Sequence, residues 1–138
     1  MLPHKHFLIS CAAIAPFSLK TPQWILISGL TSALIDTDVV VLVWLNSKRE
    51  ESLKQFRNPG AIFKRYDIFM ETIAETGVLN TALKTHFIFS ALILLAAGLF
   101  FRPYFTPVAV GVATHILSDL PLLKKHLFGP GRLKSPQE

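Results

Sequence analysis

Two long apolar stretches constrain this chain more than any other feature of its sequence. Residues 24–45 and 104–123 each form a run of at least 20 mainly apolar residues. As α-helices rising 1.5 Å per residue they would be about 30 Å long, which is the thickness of the hydrocarbon core of a bilayer. Trp24 and Trp44 flank the first stretch, as aromatic side chains do at the two membrane interfaces. The sequence therefore predicts membrane-spanning helices.

The composition agrees with a membrane protein. Hydrophobic residues make up 51% of the 138 and charged residues only 17%, whereas soluble domains average about 25% charged residues. The single Cys11 excludes an internal disulfide and a cysteine-based zinc site. We expect an all-α, integral-membrane helical bundle that forms one domain over residues 1–138.

The bundle is predicted to contain three to four transmembrane helices. The expected spans are 7–19, 24–45, 83–101 and 104–123, with a cytoplasmic amphipathic connection at 46–82. The first is short and contains Pro16, so it is a tilted or kinked span, a re-entrant segment or a buried helix.

The basic residues predict the orientation. If all four stretches cross the membrane, every one of the 14 basic residues except Lys20 and Arg102 lies on one side. By the positive-inside rule we expect a multi-pass protein of the cell (plasma or inner) membrane with both termini in the cytoplasm. The net charge of +5 then reflects topology and contact with membrane lipids, and no nucleic-acid-binding module is expected.

The connection is predicted to contain helices. Ser47 and Glu50 form a capping-box pattern that would begin a short helix, which 58–60 would end. An apolar stripe with helical spacing follows, before Gly77 breaks the pattern: Ile62, Tyr66, Phe69, Met70 and Ile73. Such a helix lies on the membrane surface, packs as a lid on the bundle, or is a linker with a solvated face.

Ionisable residues inside the apolar stretches are candidates for function, because a charge in hydrocarbon is costly unless it faces protein, water or a metal. Asp36 and Asp38 lie about 18–21 Å along one predicted span, and His115 and Asp119 lie at a similar depth in another. Two further histidines fall in the same layer. The six candidate metal ligands are His6, Asp36, Asp38, His86, His115 and Asp119.

Two interpretations of this layer stay open at the level of sequence. His115 and Asp119 are four residues apart, so one helical face can supply both as ligands of zinc, manganese or iron. Asp36 and Asp38 are about 200° apart on an ideal helix, and both can face one centre only if the backbone unwinds locally. The alternative is a hydrogen-bonded polar core that fixes helix packing. In that case His6 marks the headgroup boundary.

Short motifs in the chain resemble those of a known family. Residues 34–38 (LIDTD) resemble an acidic "(L/P)DxD" segment, Thr85-His86 a "TH(S)" segment, and 114–119 (THILSD) an "HxxxD" segment. These segments, with an early histidine matched by His6, occur in that order in the membrane-bound metal-dependent hydrolases. The chain is similar to a divergent member, with Ile35 and Phe87 replacing the usual proline and serine. The resemblance implies a helical membrane bundle with a divalent-metal site.

We therefore expect a metal-dependent hydrolase that acts at the cytoplasmic face on an anionic or phosphate-bearing, lipid-like substrate. The basic residues Lys84, Lys124 and Lys125 would suit such a substrate. The alternatives are a non-enzymatic bundle or partner-binding protein with a structural polar cluster, and, third, a proton or ion path.

Overall fold

The computed structural model describes residues 2–19 and 21–128, with side chains as far as Pro121. Within these ranges the chain is helical and contains no strand. Seven α-helices follow one another: α1 (Pro3–Ile14), α2 (Gln23–Ile35), α3 (Thr37–Asn46), α4 (Pro59–Lys64), α5 (Tyr66–Glu75), α6 (Val78–Phe100) and α7 (Phe105–Phe128). The predicted all-α class is confirmed.

The helices form two groups. Helices α1, α2 and α7 pack against one another, whereas α3 packs against α6 and against a 3₁₀ segment, Glu51–Phe56. Helix α5 covers α6, and α6 also contacts α7. A small apolar cluster of Ile35, Ala97, Val108 and Val112 joins α2, α6 and α7. The first predicted span, 7–19, therefore corresponds to a short helix held against α2 and α7.

The apolar stretch 24–45 is interrupted at Asp36, which lies between α2 and α3. Beside the break, the Thr37 hydroxyl donates to the Leu34 carbonyl oxygen at 2.6 Å. Because of this break, α2 lies against α1 and α7 while α3 lies against α6. The two helices of one apolar stretch thus belong to different groups.

Small residues allow close packing within the first group. A Cβ atom added at Gly111 on α7 would lie 2.6 Å from the Ser28 carbonyl oxygen on α2, and one at Gly29 would lie 2.6 Å from Cys11 Sγ on α1. Hydroxyls add contacts between the same helices, since Ser10 is hydrogen-bonded to Thr114. Both glycines therefore lie where a larger residue would obstruct the neighbouring helix.

The connection differs in part from its prediction. The capping-box interpretation is wrong: Ser47 ends α3, its hydroxyl donating to the Trp44 carbonyl oxygen at 2.7 Å, because the helix before it reaches that far. Asn58 instead caps α4, accepting from the Gly60 amide at 2.9 Å. The apolar stripe is helical as predicted, but Arg65 (φ −131°, ψ 48°) divides it between α4 and α5.

Gly77 separates α5 from α6 as predicted. Its φ of 73° is a left-handed conformation that residues with a Cβ rarely adopt. This glycine reverses the chain, so that α5 packs back along the beginning of α6.

Within residues 2–19 and 21–128, two segments are long and apolar enough to cross a membrane, Gln23–Asn46 and Val78–Phe100. Only 22% and 11% of their most apolar windows are buried inside the protein. Large apolar side chains on α6 are instead exposed, including Phe87, Ile88, Leu92, Leu95 and Leu99. An apolar surface of this kind suits contact with lipid. The expectation of three to four spans stays a prediction.

Candidate metal centre

Four of the six predicted ligands converge on one point. His6 comes from α1, Asp36 from the break between α2 and α3, and His115 and Asp119 from α7. Each offers one ligand atom, and these four atoms all lie within 4.8 Å of one another. Three separate parts of the sequence therefore build one cluster, which we call the metal centre.

Local structure explains how each side chain reaches this centre. His115 and Asp119 are one helical turn apart, so they point from the same face of α7. The break places Asp36 at the end of α2, the helix that packs against both α1 and α7. His6 is fully buried by that packing, and its ring lies 4.1 Å from the His115 ring.

The distances in the metal centre suit shared coordination better than direct hydrogen bonding. His6 Nε2 lies 3.3 Å from Asp119 Oδ1 and 3.8 Å from Asp36 Oδ2. His115 Nε2 lies 3.5 Å from Asp119 Oδ2 and 3.7 Å from Asp36 Oδ1. Hydrogen bonds between nitrogen and oxygen are about 2.7–3.2 Å long, whereas atoms about 2.0–2.2 Å from a tetrahedral ion are about 3.3–3.6 Å apart.

Two of the buried polar atoms in the centre are not satisfied by hydrogen bonds within the part of the chain that the structure describes. No partner among the described residues completes a hydrogen bond to His6 Nε2 or to Asp36 Oδ2, although both atoms are buried. Leaving such groups unsatisfied is costly. Two carboxylates facing two imidazoles at a largely buried site would be neutralised by a divalent cation. The nitrogen and oxygen donor set also matches the ligands of zinc, manganese or iron.

The other two predicted ligands, Asp38 and His86, form a hydrogen-bonded chain beside the centre. The Asp38 carboxylate accepts from His86 Nδ1 at 2.9 Å and from the Thr85 hydroxyl at 3.0 Å. His86 Nε2 in turn lies 2.6 Å from His115 Nε2, which is a hydrogen-bond distance. Asp38 therefore fixes the orientation of His86, and His86 contacts one residue of the centre.

The two aspartates of the LIDTD segment face different neighbours. Asp36 faces the rings of His6 and His115, while Asp38 faces His86 on α6. The local unwinding that would let both reach one centre is not observed, since Asp36 keeps right-handed helical dihedral angles (φ −64°, ψ −11°) between α2 and α3, and the two side chains point in different directions. A role for Asp38 and His86 as direct ligands stays a prediction.

A cavity of about 130 Å³ adjoins the metal centre. Asp36, His86 and Asp119 form part of its wall, and most of the remainder is apolar. Much of that apolar wall comes from the connection, whose stripe faces the bundle. The sequence left three arrangements open for the connection: a helix on the membrane surface, a lid on the bundle, or a linker with a solvated face. The residues that line the cavity correspond to a lid over the bundle.

Tyr66, at the start of α5, is the site residue that sequence reasoning missed. It lines the same cavity as Asp36 and Asp119. Burial raises the pKa of its phenol, and the charges of Asp119 and Asp36 act in the same direction. The hydroxyl therefore stays protonated and can donate a hydrogen bond. Its signal in the sequence was a hydroxyl-bearing residue within an otherwise apolar stripe.

Part of the predicted basic surface lies outside the description. The side chains of Lys124 and Lys125 are not among the described residues, while Lys84 is exposed on α6.

Comparisons of the chain with protein-family models, with curated proteins and with solved structures found no match.

Proposed function

We propose that this chain is an integral-membrane, metal-dependent hydrolase that acts near the cytoplasmic face on an anionic or phosphate-bearing, lipid-like substrate. The single observation that carries this proposal is the convergence of four nitrogen and oxygen ligand atoms within 4.8 Å. Membership of the membrane-bound metal-dependent hydrolases, as a divergent relative, is part of the proposal and rests on the ordered motifs of the sequence.

The membrane arrangement in this proposal extends the two helices that could cross a bilayer to three or four spans. Its support is the low burial of those helices, the exposed apolar side chains of α6 and the one-sided distribution of basic residues. Multi-pass insertion with both termini in the cytoplasm follows from the positive-inside rule.

The residues of the site have distinct roles in the proposed chemistry. His6, Asp36, His115 and Asp119 hold the ion, which would polarise the scissile group and lower the pKa of a water molecule. His86 lies against His115, and its Nδ1 is bonded to Asp38. With an ion on His115 Nε2, the present contact between that atom and His86 Nε2 would be lost, and His86, held at Nδ1 by the Asp38 carboxylate, would be free at Nε2 to accept or return a proton.

One observation favours a second function, a non-enzymatic bundle in which the polar cluster stabilises helix packing or serves a partner. Asp38, His86 and His115 are joined by direct hydrogen bonds between α3, α6 and α7. Polar pairs of this kind hold membrane helices together without any ion. Under this interpretation His6 Nε2, which completes no hydrogen bond among the described residues, would contribute only electrostatic contacts with Asp119 and Asp36, at 3.3 and 3.8 Å.

Metal analysis separates the two functions. The purified protein, exchanged against zinc, manganese and iron salts, should retain about one ion per chain, measured by mass spectrometry of the elements. The Asp36→Ala/His115→Ala pair should lose it. A matched control, His4→Ala/Asp67→Ala, removes one histidine and one aspartate that are both exposed, and it should keep the ion.

The same samples test for hydrolysis. We expect the metal-loaded protein to hydrolyse p-nitrophenyl phosphate or the lipid-like diester p-nitrophenyl dodecyl phosphate, and a chelator to abolish that activity. Absence of bound metal in the wild type would contradict the proposal and favour the structural cluster. Metal binding without hydrolysis of either ester would leave a metal site but argue against the enzyme.

A further inference from the structure

The cavity beside the metal centre is polar at one end and apolar elsewhere. Asp36, His86 and Asp119 are its ionisable lining residues, and all three belong to the metal centre or contact it. Tyr66 contributes a phenol to the wall, and the other lining side chains are aliphatic, aromatic or sulfur-containing. A ligand that fills this space must therefore be polar at one end only.

The apolar wall is assembled from both groups of helices. Pro3 on α1 and Ile116 on α7 contribute from the first group, and Val40 on α3, Ala82 on α6 and Met70 on α5 contribute from the second. Val40 and Met70 pack against the buried core of the connection, so this part of the wall is held by packing. A water-soluble anion would gain nothing from this surface, whereas for a chain taken up from water each methylene group buried on it would strengthen binding about fourfold.

We propose that this cavity binds the first methylene groups of a single-chain amphiphile whose anionic, oxygen-bearing head group reaches the metal centre, while the rest of the hydrocarbon chain leaves the cavity beside the exposed Phe87. The inference rests on the proposed function and specifies its substrate class. Charge complementarity supports it, because a bound divalent cation would give the polar end of the cavity an electrophile for an anionic oxygen. Tyr66 adds a hydrogen-bond donor on the same wall.

The outer surface of the protein beside the cavity suits a ligand that comes from the lipid bilayer. Helix α6 carries exposed apolar residues on its outer surface and lines the cavity with Ala82, Leu83 and Phe87. Phe87 is both 54% exposed and part of the wall. The cavity therefore adjoins a surface suited to lipid, from which an amphiphile can enter without its chain passing through water.

Linked binding of metal and amphiphile tests the inference. The protein is placed in nanodiscs of zwitterionic lipid, and its zinc dissociation constant is measured alone and with dodecyl phosphate, methyl phosphate or dodecanol. We expect dodecyl phosphate to tighten zinc binding about tenfold or more, within the usual range of coupling between two ligands. Methyl phosphate and dodecanol each lack one half of the amphiphile and should have little effect.

Neighbouring residues on α3 supply a matched pair of variants. Val40→Phe fills the cavity, so it should abolish the effect of dodecyl phosphate while leaving the zinc affinity measured alone unchanged. Val41→Phe makes the same change on a 54% exposed side chain that does not line the cavity, and it should respond like the wild type.

A second pair covers the case in which Val40→Phe fails to fold. Met70→Trp fills the cavity from α5, while Ile68→Trp makes an exposed change on the same helix. Two outcomes would overturn the proposal that the cavity binds an amphiphile without overturning the metal site. In the first, methyl phosphate tightens zinc binding as strongly as dodecyl phosphate does; in the second, both cavity variants respond to dodecyl phosphate like the wild type. A wild type that binds no zinc would overturn both proposals.

Discussion

The helix contacts among α1, α2 and α7 and the core of the connection are packed in opposite ways. The first region has backbones in close approach at Gly29 and Gly111, with serine hydroxyls between the helices. The second is a cluster of large apolar side chains that includes Phe56 and Phe69, whose rings meet edge to face at 5.3 Å. Close approach at small residues is typical of helices in lipid, and a large apolar core is typical of protein in water.

This difference shows where each region gains its stability. In lipid, burying another apolar side chain gains little, so shape and hydroxyl contacts hold the helices. In the connection, removing apolar side chains from water stabilises the fold. Leu53, Phe56 and Ile73 are at most 1% exposed there. The metal centre lies at the junction, because His6 and His115 belong to the first region whereas His86 contacts them from α6.

The largest expected effect is that of Phe56→Ala in the core of the connection. Removing this fully buried ring leaves a cavity, which should lower the free energy of unfolding by about 3–5 kcal/mol. Denaturant titration of the protein in detergent micelles would measure it. The control is Phe100→Ala, which changes a 75% exposed ring and should stay within about 0.5 kcal/mol of the wild type. Equal losses in both variants would remove the distinction between the regions.

A somewhat smaller effect is expected from Gly111→Ala between α7 and α2. The new Cβ would lie 2.6 Å from the Ser28 carbonyl oxygen, and only a backbone shift can relieve that contact. We expect the free energy of unfolding to fall by about 1–3 kcal/mol. Gly98→Ala on α6 is the matched control, because its nearest contact would be an ordinary 3.6 Å. If Gly111→Ala is as stable as Gly98→Ala, close approach does not stabilise the first region.

The third prediction concerns the junction and changes the free energy of metal binding instead of that of unfolding. Asp38→Asn weakens the hydrogen bond that orients His86 and therefore disturbs the contact between His86 and His115. It removes none of the four converging ligands. Zinc affinity should fall about 10–100-fold, as for other residues that orient metal ligands. Isothermal titration would measure it, with the exposed Asp67→Asn as a control. An unchanged affinity would show that α3 and α6 contribute nothing to the metal centre.

The sequence predicted the components of the site better than their arrangement. Depth along the apolar stretches correctly grouped His6, Asp36, His115 and Asp119, because helical rise converts sequence distance directly into height. The angle of about 200° between Asp36 and Asp38 on an ideal helix also indicated that the two side chains face different directions. Which neighbouring helix each one meets depends on tertiary packing, which periodicity does not encode.

The connection shows the same limit. The apolar stripe was correctly assigned to helix, but the bend at Arg65 and the position of Tyr66 beside the carboxylates were not predictable. Likewise, the spacing between Ser47 and Glu50 predicted the beginning of a helix in the connection, whereas in the structure Ser47 ends α3. Local patterns of this kind are decided by tertiary contacts when two helices compete for the same residues.

By itself, the sequence determined the helical class of this protein, the apolar lengths of its longest segments and the chemical identity of the candidate ligands, because composition and helical periodicity are local properties. Only the tertiary structure decided which imidazoles and carboxylates meet, that Asp38 reaches the centre through His86, and that the connection closes a cavity over it. Those features depend on contacts between residues far apart in the chain, and helix packing sets such contacts to within a few ångströms.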